Sequence, residues 1–296
     1  MRNKRYLYKL AVFFLFALMV GNIAYGQYDP RRSRWMRQRH QIGVTIGLTA
    51  FLGELGGADA IGSSGLRDWN FNQNRFALSL DYRYFLLRNL ALRTEFIYAY
   101  VSGSDANTKE PFRRNRNLSF RAPIYEFSAL LEFFILREEP GRGNPFARRR
   151  FTIDFYIFAG VGVTYFNPQA KFEGQWVDLQ PLGTEGQGID AQPDRYSKFT
   201  PVVPVGFGLA KKFMGFWSAG LEFSYRKTFT DYLDDVSTIY YDNNKIKATY
   251  GDVAAYLADP SLGYFIDGNG NQVPLNSTGE DLQRGDPNNL DAYLLG

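Results

Sequence analysis

The 296-residue chain has no cysteine and a single histidine, His40. The lack of cysteine excludes disulfides, thiolate zinc sites, iron–sulfur clusters and thiol catalysis. One histidine excludes a polyhistidine metal site within one chain, and a Ser-His-Asp arrangement would have to use His40. We therefore predict no cofactor and no metal site, and we assign no catalytic residues.

Long hydrophobic runs are also missing. The run Leu10–Val20 has 11 residues, whereas a transmembrane helix needs about 20. It follows four basic residues and precedes Ala24-Tyr25-Gly26, the arrangement of a secretory signal peptide. We therefore predict that residues 1–26 are a signal peptide cleaved near Gly26. The alternative is a buried N-terminal helix.

The chain has little excess charge once this segment is set aside. The net charge is +4, and residues 1–26 contain four basic and no acidic side chains. The remaining chain is balanced, so charge gives no argument for nucleic-acid binding, and we expect none. Residues 27–40 contain five arginines and are predicted to be a basic periplasmic segment.

Aromatic residues, by contrast, make up 17% of the chain, and the strongest pattern is an alternation with period two. Seven segments of about 10 residues or more place apolar side chains on one face and polar or small ones on the other. The apolar face often ends in Tyr or Trp, as in the aromatic girdles of membrane barrels. The segments are 41–52, 75–85, 91–101, 124–134, 151–166, 202–211 and 216–226.

Connection lengths alternate between short and long, with long loops at 53–74, 102–118, 167–198 and 228–288. Short periplasmic turns and long outer loops are typical of outer-membrane barrels. We predict an all-β fold, an eight-stranded antiparallel transmembrane β-barrel over residues 41–296 with long extracellular loops. It would lie in the lipid bilayer of a Gram-negative outer membrane. The last strand, 291–296, is apparently truncated.

The polar face of these segments carries charges in mid-strand. One interpretation is a path for ions or small solutes, and the other is a paired polar plug that stabilises the barrel. An eight-stranded barrel is almost filled by its side chains, which favours the plug. The charged positions are Asp81, Arg83, Arg93, Glu95, Glu126, Glu132, Asp154, Glu222 and Arg226.

A second basic cluster falls on the predicted periplasmic rim. It is either a docking surface for an acidic periplasmic partner or a solvated rim. The candidate docking residues are Arg142, Arg148, Arg149 and Arg150.

Four stretches carry a family resemblance. They are Arg116–Arg121 leading to Tyr125-Glu126, Tyr165–Pro168, Trp176–Gly188 and Thr228–Tyr240. They resemble the PorG-type outer-membrane barrel family of the type IX secretion system, over essentially the whole mature chain. The resemblance implies a non-enzymatic accessory of protein secretion, associated with a periplasmic ring of PorK- and PorN-like proteins. It does not imply the translocation pore. The rival hypothesis is a small porin-like or surface-binding barrel.

The two longest of these stretches lie on the predicted outer side, just beyond the fifth and seventh strands. Their acidic residues can cap turns or pair with Arg113, Arg114 or Arg116, and their glycines permit positive φ. They form either a folded lid over the barrel mouth or a contact site for another secretion component. The candidate residues are Trp176, Gly183, Glu185, Gly188, Asp231, Asp234 and Asp235.

Overall fold

A computed structural model describes residues 38–55, 74–108, 110–137, 153–190, 192–213, 217–267, 270–287 and 290–296. The predicted signal peptide, residues 27–37 of the basic segment, and Arg142, Arg148, Arg149 and Arg150 lie outside the described residues. No helix in the described ranges is long and apolar enough to cross a membrane.

The fold is all-β and antiparallel, as predicted. Its largest unit is a sheet of ten strands, and a separate hairpin forms a second sheet. The strands are β1 (His40–Leu52), β2 (Arg75–Leu87), β3 (Leu90–Ser104), β4 (Ser119–Leu136), β5 (Asp154–Phe166), β6 (Gln169–Phe172), β7 (Gln175–Asp178), β8 (Phe199–Phe213), β9 (Trp217–Thr228), β10 (Tyr264–Ile266), β11 (Gln272–Pro274) and β12 (Ala292–Leu295).

Eight of the strands pair in a cycle. β1 pairs with β2, β2 with β3, β3 with β4 and β4 with β5. β5 then pairs with β8, β8 with β9, β9 with β12 and β12 with β1. Every pairing is antiparallel, and the cycle brings β3 and β9 to positions four strands apart in either direction. Residues on these two strands can therefore meet only across the interior of the ring.

The sheet has ten strands where the sequence predicts eight. The two additional strands, β6 and β7, form a hairpin within a segment predicted to be a loop, and β6 attaches to the ring at Arg121 of β4. The hairpin turns at Glu173 and Gly174, which both have positive φ. A Glu-Gly pair is a weaker hairpin signal than Asn-Gly or Asp-Gly, so these four-residue strands are hard to find by periodicity.

The seven predicted long strands are all present, and the predicted eighth strand is the four-residue β12. It pairs with Leu52 to Thr49 of β1 on one side and with Lys227 to Ser224 of β9 on the other. β12 therefore joins the first and last long strands at the end of the ring that carries the long connections.

Side chains on the long strands alternate between outside and inside. On β1, Ile42, Val44 and Ile46 are 66–77% exposed. On β4, Phe127 is 59% exposed, whereas its neighbour Glu126 is fully buried. The period-two pattern thus places its apolar face outward and its polar face inward, the reverse of a soluble sheet that packs on a core.

The long connections fold into a loop layer at one end of the ring, defined by the described parts of 53–55, 105–118, 167–198 and 229–291. This layer contains the helices Pro111–Arg116, Asn243–Tyr250 and Asp252–Ala258, short 3-10 helices at Asp105–Asn107 and Gln180–Leu182, and the hairpin β10–β11. A buried apolar cluster joins it to the strand ends, with Phe51, Phe120 and Phe166 packed with Leu233 and Val236.

Candidate functional site

The ring interior contains charged side chains that pair across it. Both Nη atoms of Arg93 on β3 donate to the carboxylate of Glu222 on β9, at 2.6 and 2.8 Å. Arg226 on β9 donates to Glu95 on β3 at 2.9 Å and also binds Glu126 on β4. Because β3 and β9 lie on opposite sides of the ring, these ion pairs span the interior.

A second set of contacts fills the interior toward the short connections. Arg83 pairs with Glu132, and Arg93 also lies 3.2 Å from a Glu132 oxygen. The guanidinium carbon of Arg93 lies 4.6 Å from the ring centroid of Phe158, and the Tyr156 hydroxyl donates to Glu222 at 2.9 Å. Seven of the nine predicted interior charges pair with one another, as the plug interpretation requires, because a buried charge is stable only when it is matched. Asp154 pairs with Lys212, and among the described residues Asp81 has no ion pair.

The loop layer contains its own ion cluster, here called the arginine cluster: Arg284, Glu185, Asp235, Thr184 and Tyr196. Arg284 donates from Nη1 to Glu185 at 2.9 Å and to the backbone carbonyl of Asp235 at 2.5 Å. The Asp235 carboxylate accepts from Thr184 at 2.5 Å and Tyr196 at 2.6 Å. These bonds join the connection after β7 to the long connection after β9.

Glu185 is the most connected acid of this cluster. Besides Arg284, it accepts from the backbone amide of Ser237 at 2.9 Å and the hydroxyl of Thr238 at 2.8 Å. The two longest family-like stretches, Trp176–Gly188 and Thr228–Tyr240, therefore meet at one carboxylate. A buried acid with these partners orders both segments at once.

Burial raises the pKa of Asp235 from 3.8 to about 6, although Arg284, Thr184 and Tyr196 act to lower it. Burial also raises the pKa of the Tyr196 hydroxyl well above its ordinary value, and the adjacent Asp235 adds to this effect. For Arg284, burial lowers the pKa, but Glu185 and Asp235 outweigh that effect and raise it. The cluster is thus held by charge-assisted hydrogen bonds in a buried setting.

Four further acids lie together in the loop layer and form what we call the carboxyl cluster: Glu54, Asp231, Asp234 and Asp291. Asp231 is 5%, Asp234 1% and Asp291 0% exposed. Asp234 Oδ1 accepts from the backbone amide of Val236, and Asp291 Oδ2 accepts from that of Leu233. Among the described residues, Asp234 Oδ2 and Asp291 Oδ1 have no hydrogen-bond partner.

Burial is the main cause of raised pKa values throughout the carboxyl cluster. It raises the pKa of Asp231 to about 9, with a further rise from Asp291 and an opposing effect of the Ser237 hydroxyl. It raises the pKa of Glu54 to about 7, opposed by the Asp286 amide and Arg116. The pKa values of Asp234 and Asp291 also lie well above 3.8 because of burial.

The sequence predicts two alternative roles for Asp231, Asp234 and Asp235, and Asp234 has the turn-capping one, because its Oδ1 accepts from the backbone amide of Val236. The other alternative is pairing with the arginines at 113, 114 and 116, and two of these arginines have a different acid as their partner. Arg113 and Arg116 instead bind Asp105, at 3.4 and 2.7 Å. The helix Pro111–Arg116 directs them there, because Glu110 caps its first turn and Asn117 ends it with a positive φ. Arg114 is exposed. Asp235 has Arg284 as its cation, a residue that lies far along the chain.

The remaining outer-loop candidates, Trp176, Gly183 and Gly188, make packing contacts within the chain. Trp176 on β7 is 43% exposed, and the Arg121 guanidinium carbon lies 3.7 Å from its ring centroid. Gly183 and Gly188 have φ of 55° and 77°, and a Cβ on either would come within 3 Å of Tyr250. Tyr250 in turn donates to the Gln187 carbonyl at 2.8 Å. These glycines therefore allow the helix Asn243–Tyr250 to pack closely.

Sequence reasoning missed Arg284, Tyr196 and Asp105. Each is buried or half-buried in the loop layer, but none lies in a periodic segment or repeats a recognisable motif. One signal was available: Arg284 is a basic residue among the acids of 280–291.

The described part of the loop layer contains openings that the acids border. One, of about 240 Å³, is lined partly by Asp234, Arg284 and Tyr256. Another, of about 540 Å³, opens beside Phe112, Leu282 and Asp286. The acids are not arranged around a metal position: within the described ranges no group of three or more acidic or histidine side chains could hold a metal ion.

The family described as Domain of unknown function (DUF6089) matches residues 32–255. The match includes seven of the eight ring strands, the hairpin β6–β7 and the first part of the long connection after β9, and it ends before Arg284, Asp291 and the ring strand β12. No curated protein matches the chain.

Proposed function

The chain belongs to the family of unknown function DUF6089, and we propose that it is an outer-membrane β-barrel that serves type IX secretion as a structural or assembly partner. One observation carries the barrel part of the proposal. The eight strands that pair in a cycle are apolar outside and ion-paired inside. A chain exposing this much apolar surface needs a lipid environment.

The distribution of exposed side chains supports insertion in a bilayer. Val161 in the middle of β5 is 67% exposed, and Leu221 on β9 is 80% exposed. Aromatic rings mark both ends of this apolar belt. Near the loop layer, Tyr98, Tyr125 and Tyr165 form a row with centroids 5.0 and 6.1 Å apart. Such girdles mark the two membrane interfaces of outer-membrane barrels.

The opposite aromatic girdle lies at the short connections. There His40 contacts the rings of Tyr82 and Tyr84, and its Nδ1 lies 2.6 Å from the Tyr82 hydroxyl. Trp217, at the start of β9, is 67% exposed. With the loop layer outside the cell, this end faces the periplasm, so His40 is an interface residue in the proposal.

The paired interior favours a structural role over conduction. The Arg93–Glu222 and Arg226–Glu95 pairs span the ring, and Phe158 and Tyr156 fill the space beside Arg93. A small barrel filled in this way leaves no wide water path. The rival porin-like function would need this network to open.

The secretion role rests on the resemblance of the four stretches to PorG-type proteins. Acidic residues of the two longest stretches are bound within the loop layer: Glu185 binds Arg284 and Thr238, and Asp235 binds Tyr196. The proposed partners are PorK- and PorN-like ring proteins on the periplasmic side. The proposed docking residues are Arg142, Arg148, Arg149 and Arg150.

Affinity purification of the tagged protein from detergent-solubilised outer membranes, read by mass spectrometry, tests this role. We expect ring proteins to co-purify and to be lost when Arg148, Arg149 and Arg150 are changed to Ala. The matched control is Arg114→Ala, an exposed arginine in the loop layer, which should retain them. Recovery of the protein without ring proteins would contradict the secretion role. Steady conductance in planar bilayers would favour the porin-like function instead.

A further inference from the structure

The acids of the carboxyl cluster differ in chemistry from the arginine-paired acids of the same loop layer. Asp105, Glu185 and Asp235 are each matched by an arginine. Asp234 and Asp291 are at least as deeply buried as Asp235, yet each keeps one oxygen without a hydrogen-bond partner among the described residues. A buried, unmatched carboxylate is unstable as an anion, whereas a protonated one can donate to a neighbouring carboxyl oxygen.

The cluster lies where three separate segments meet. Glu54 follows β1, Asp231 and Asp234 follow β9, and Asp291 precedes β12. The Asp291 amide donates to the Thr230 carbonyl at 3.0 Å, and its carboxylate receives the Leu233 amide at 2.9 Å. Gly53 lies so close that a Cβ on it would be 2.3 Å from an Asp291 oxygen. Repulsion within the cluster would therefore act directly on the packing of all three segments.

Few cations face the cluster. The charged groups that reach it from neighbouring elements are Lys227 on β9, Arg116 in the helix Pro111–Arg116, Glu185 after β7, and Asp286 before β12. Arg116 is already bound to Asp105, and Lys227 binds the carbonyl of Leu290. Arg284, which lines a cavity together with Asp234, is bound to Glu185. These cations are therefore too few to neutralise four ionised carboxylates.

We propose that the carboxyl cluster is a pH-sensitive contact, here called the seam. It keeps the loop layer packed on the strand ends while its acids share protons, and it lets the layer separate from them when the acids ionise. The seam needs no metal and no partner, and it acts independently of the secretion role. On opening, it would separate the segment that carries Leu233 and Val236 from the strand ends beneath it.

The direction of the pH response follows from the raised pKa values. Asp231 keeps its proton up to about pH 9 in the folded layer but loses it near pH 3.8 when exposed. Glu54 keeps its proton up to about pH 7 in the folded layer but loses it near pH 4.5 when exposed. The open layer thus binds fewer protons than the closed one over this range. Closure is favoured at low pH, and its stability falls as the pH rises through these windows.

Single-cysteine labelling tests the proposal, because the chain has no cysteine of its own. Val236→Cys places a thiol at a position that is 1% exposed. Ala248→Cys, on the exposed face of the helix Asn243–Tyr250, reports the intrinsic reactivity of the thiol at each pH. We expect the ratio of the two alkylation rates to rise at least about 100-fold from pH 5 to pH 9, because each differentially bound proton contributes about tenfold per pH unit.

Asp→Asn variants, which keep the size of the side chain but cannot ionise, distinguish a response of the carboxyl cluster from a general effect of pH on the protein. In Asp231→Asn/Asp234→Asn, the rise should be at least about tenfold smaller than in the unaltered chain, since two of the four groups no longer titrate. The control Asp190→Asn removes an exposed acid of the same layer, which pairs with Lys245 at 3.1 Å, and should keep the full response. If the double variant does not assemble, Asp231→Asn alone should still reduce the rise.

Three outcomes would overturn the proposal. The first is a labelling ratio that stays within about threefold from pH 5 to pH 9, and the second is a rise that the Asn variants leave unchanged. The third is protection at pH 9 that calcium restores and a chelator removes, because the cluster would then hold a cation where we place protons.

Discussion

Arg93 and Glu222 form a two-bond ion pair between β3 and β9, on opposite sides of the strand ring, at 2.6 and 2.8 Å. Arg93 is 2% exposed. Because its partner is 129 residues away, this pair links the early and late halves of the chain. We therefore expect the charged interior to stabilise the ring.

Arg93→Ala should therefore destabilise the fold strongly. Removing one partner of a buried ion pair leaves the other charge unmatched and costs about 3–5 kcal/mol. Arg93→Leu/Glu222→Leu should cost less than half as much, since no lone charge remains. Urea unfolding of the protein refolded in lipid vesicles measures both. Equal losses in the two variants would indicate that packing, and not charge pairing, stabilises the interior.

The outward face of the ring gives a direct test of membrane insertion. Val161→Arg puts a charge in the middle of the apolar belt and should cost about 2–4 kcal/mol of folding into a bilayer. Phe229→Arg changes a residue that is 56% exposed in the loop layer and should cost close to nothing. The measurement is the free energy of folding into vesicles. Similar costs at the two positions would contradict the proposed lipid-facing belt.

Arg284 should hold the loop layer together without affecting the ring. Arg284→Met leaves Glu185 and Asp235 buried without a cation, and we expect a loss of about 3–5 kcal/mol in local stability. Hydrogen exchange should accelerate in peptides covering 184–190 and 231–238, while strand peptides remain protected. Arg114→Met, at an exposed position, is the control. Faster exchange in the ring strands as well would show that the layer and the ring unfold together.

Tyr196 should tune the acidity of Asp235. The Tyr196 hydroxyl donates to Asp235 at 2.6 Å and lowers its pKa, which burial raises to about 6. Tyr196→Phe should therefore raise the pKa of Asp235 above 6 and remove about 1 kcal/mol of stability. The carboxyl carbon shift of Asp235, followed by NMR against pH, measures this change. An unchanged midpoint would mean that Thr184 and Arg284 alone set the pKa.

Asp235 also determines the direction in which the stability of the loop layer changes with pH. Because the folded pKa of Asp235 exceeds its ordinary value of 3.8, its contribution is fully present below pH 3.8 and is lost as the pH rises to about 6. In Tyr196→Phe this loss should extend to higher pH. Unfolding of the loop layer measured between pH 4 and pH 8 would show the extension.

Much of the ring could be predicted from local pattern. The alternation in 75–85 and 124–134 correctly indicated β2 and β4, and it assigned Phe127 to the outer face and Glu126 to the inner one. A strand exposes successive residues on opposite faces whatever its partners are, so this information is present in neighbouring residues.

Only the tertiary structure decided which charges meet. Arg284 and Glu185 are 99 residues apart, and the helix Pro111–Arg116 turned Arg113 and Arg116 toward Asp105 and away from the acids at 231–235. Charged groups in loops pair with whichever residues the folded chain brings next to them. A short-range sequence pattern contains no information about these distant partners. The amino-acid sequence by itself thus determined the eight ring strands, their faces and the polar interior. The contacts of the loop layer, including the carboxyl cluster, depended on bringing distant segments into one buried space.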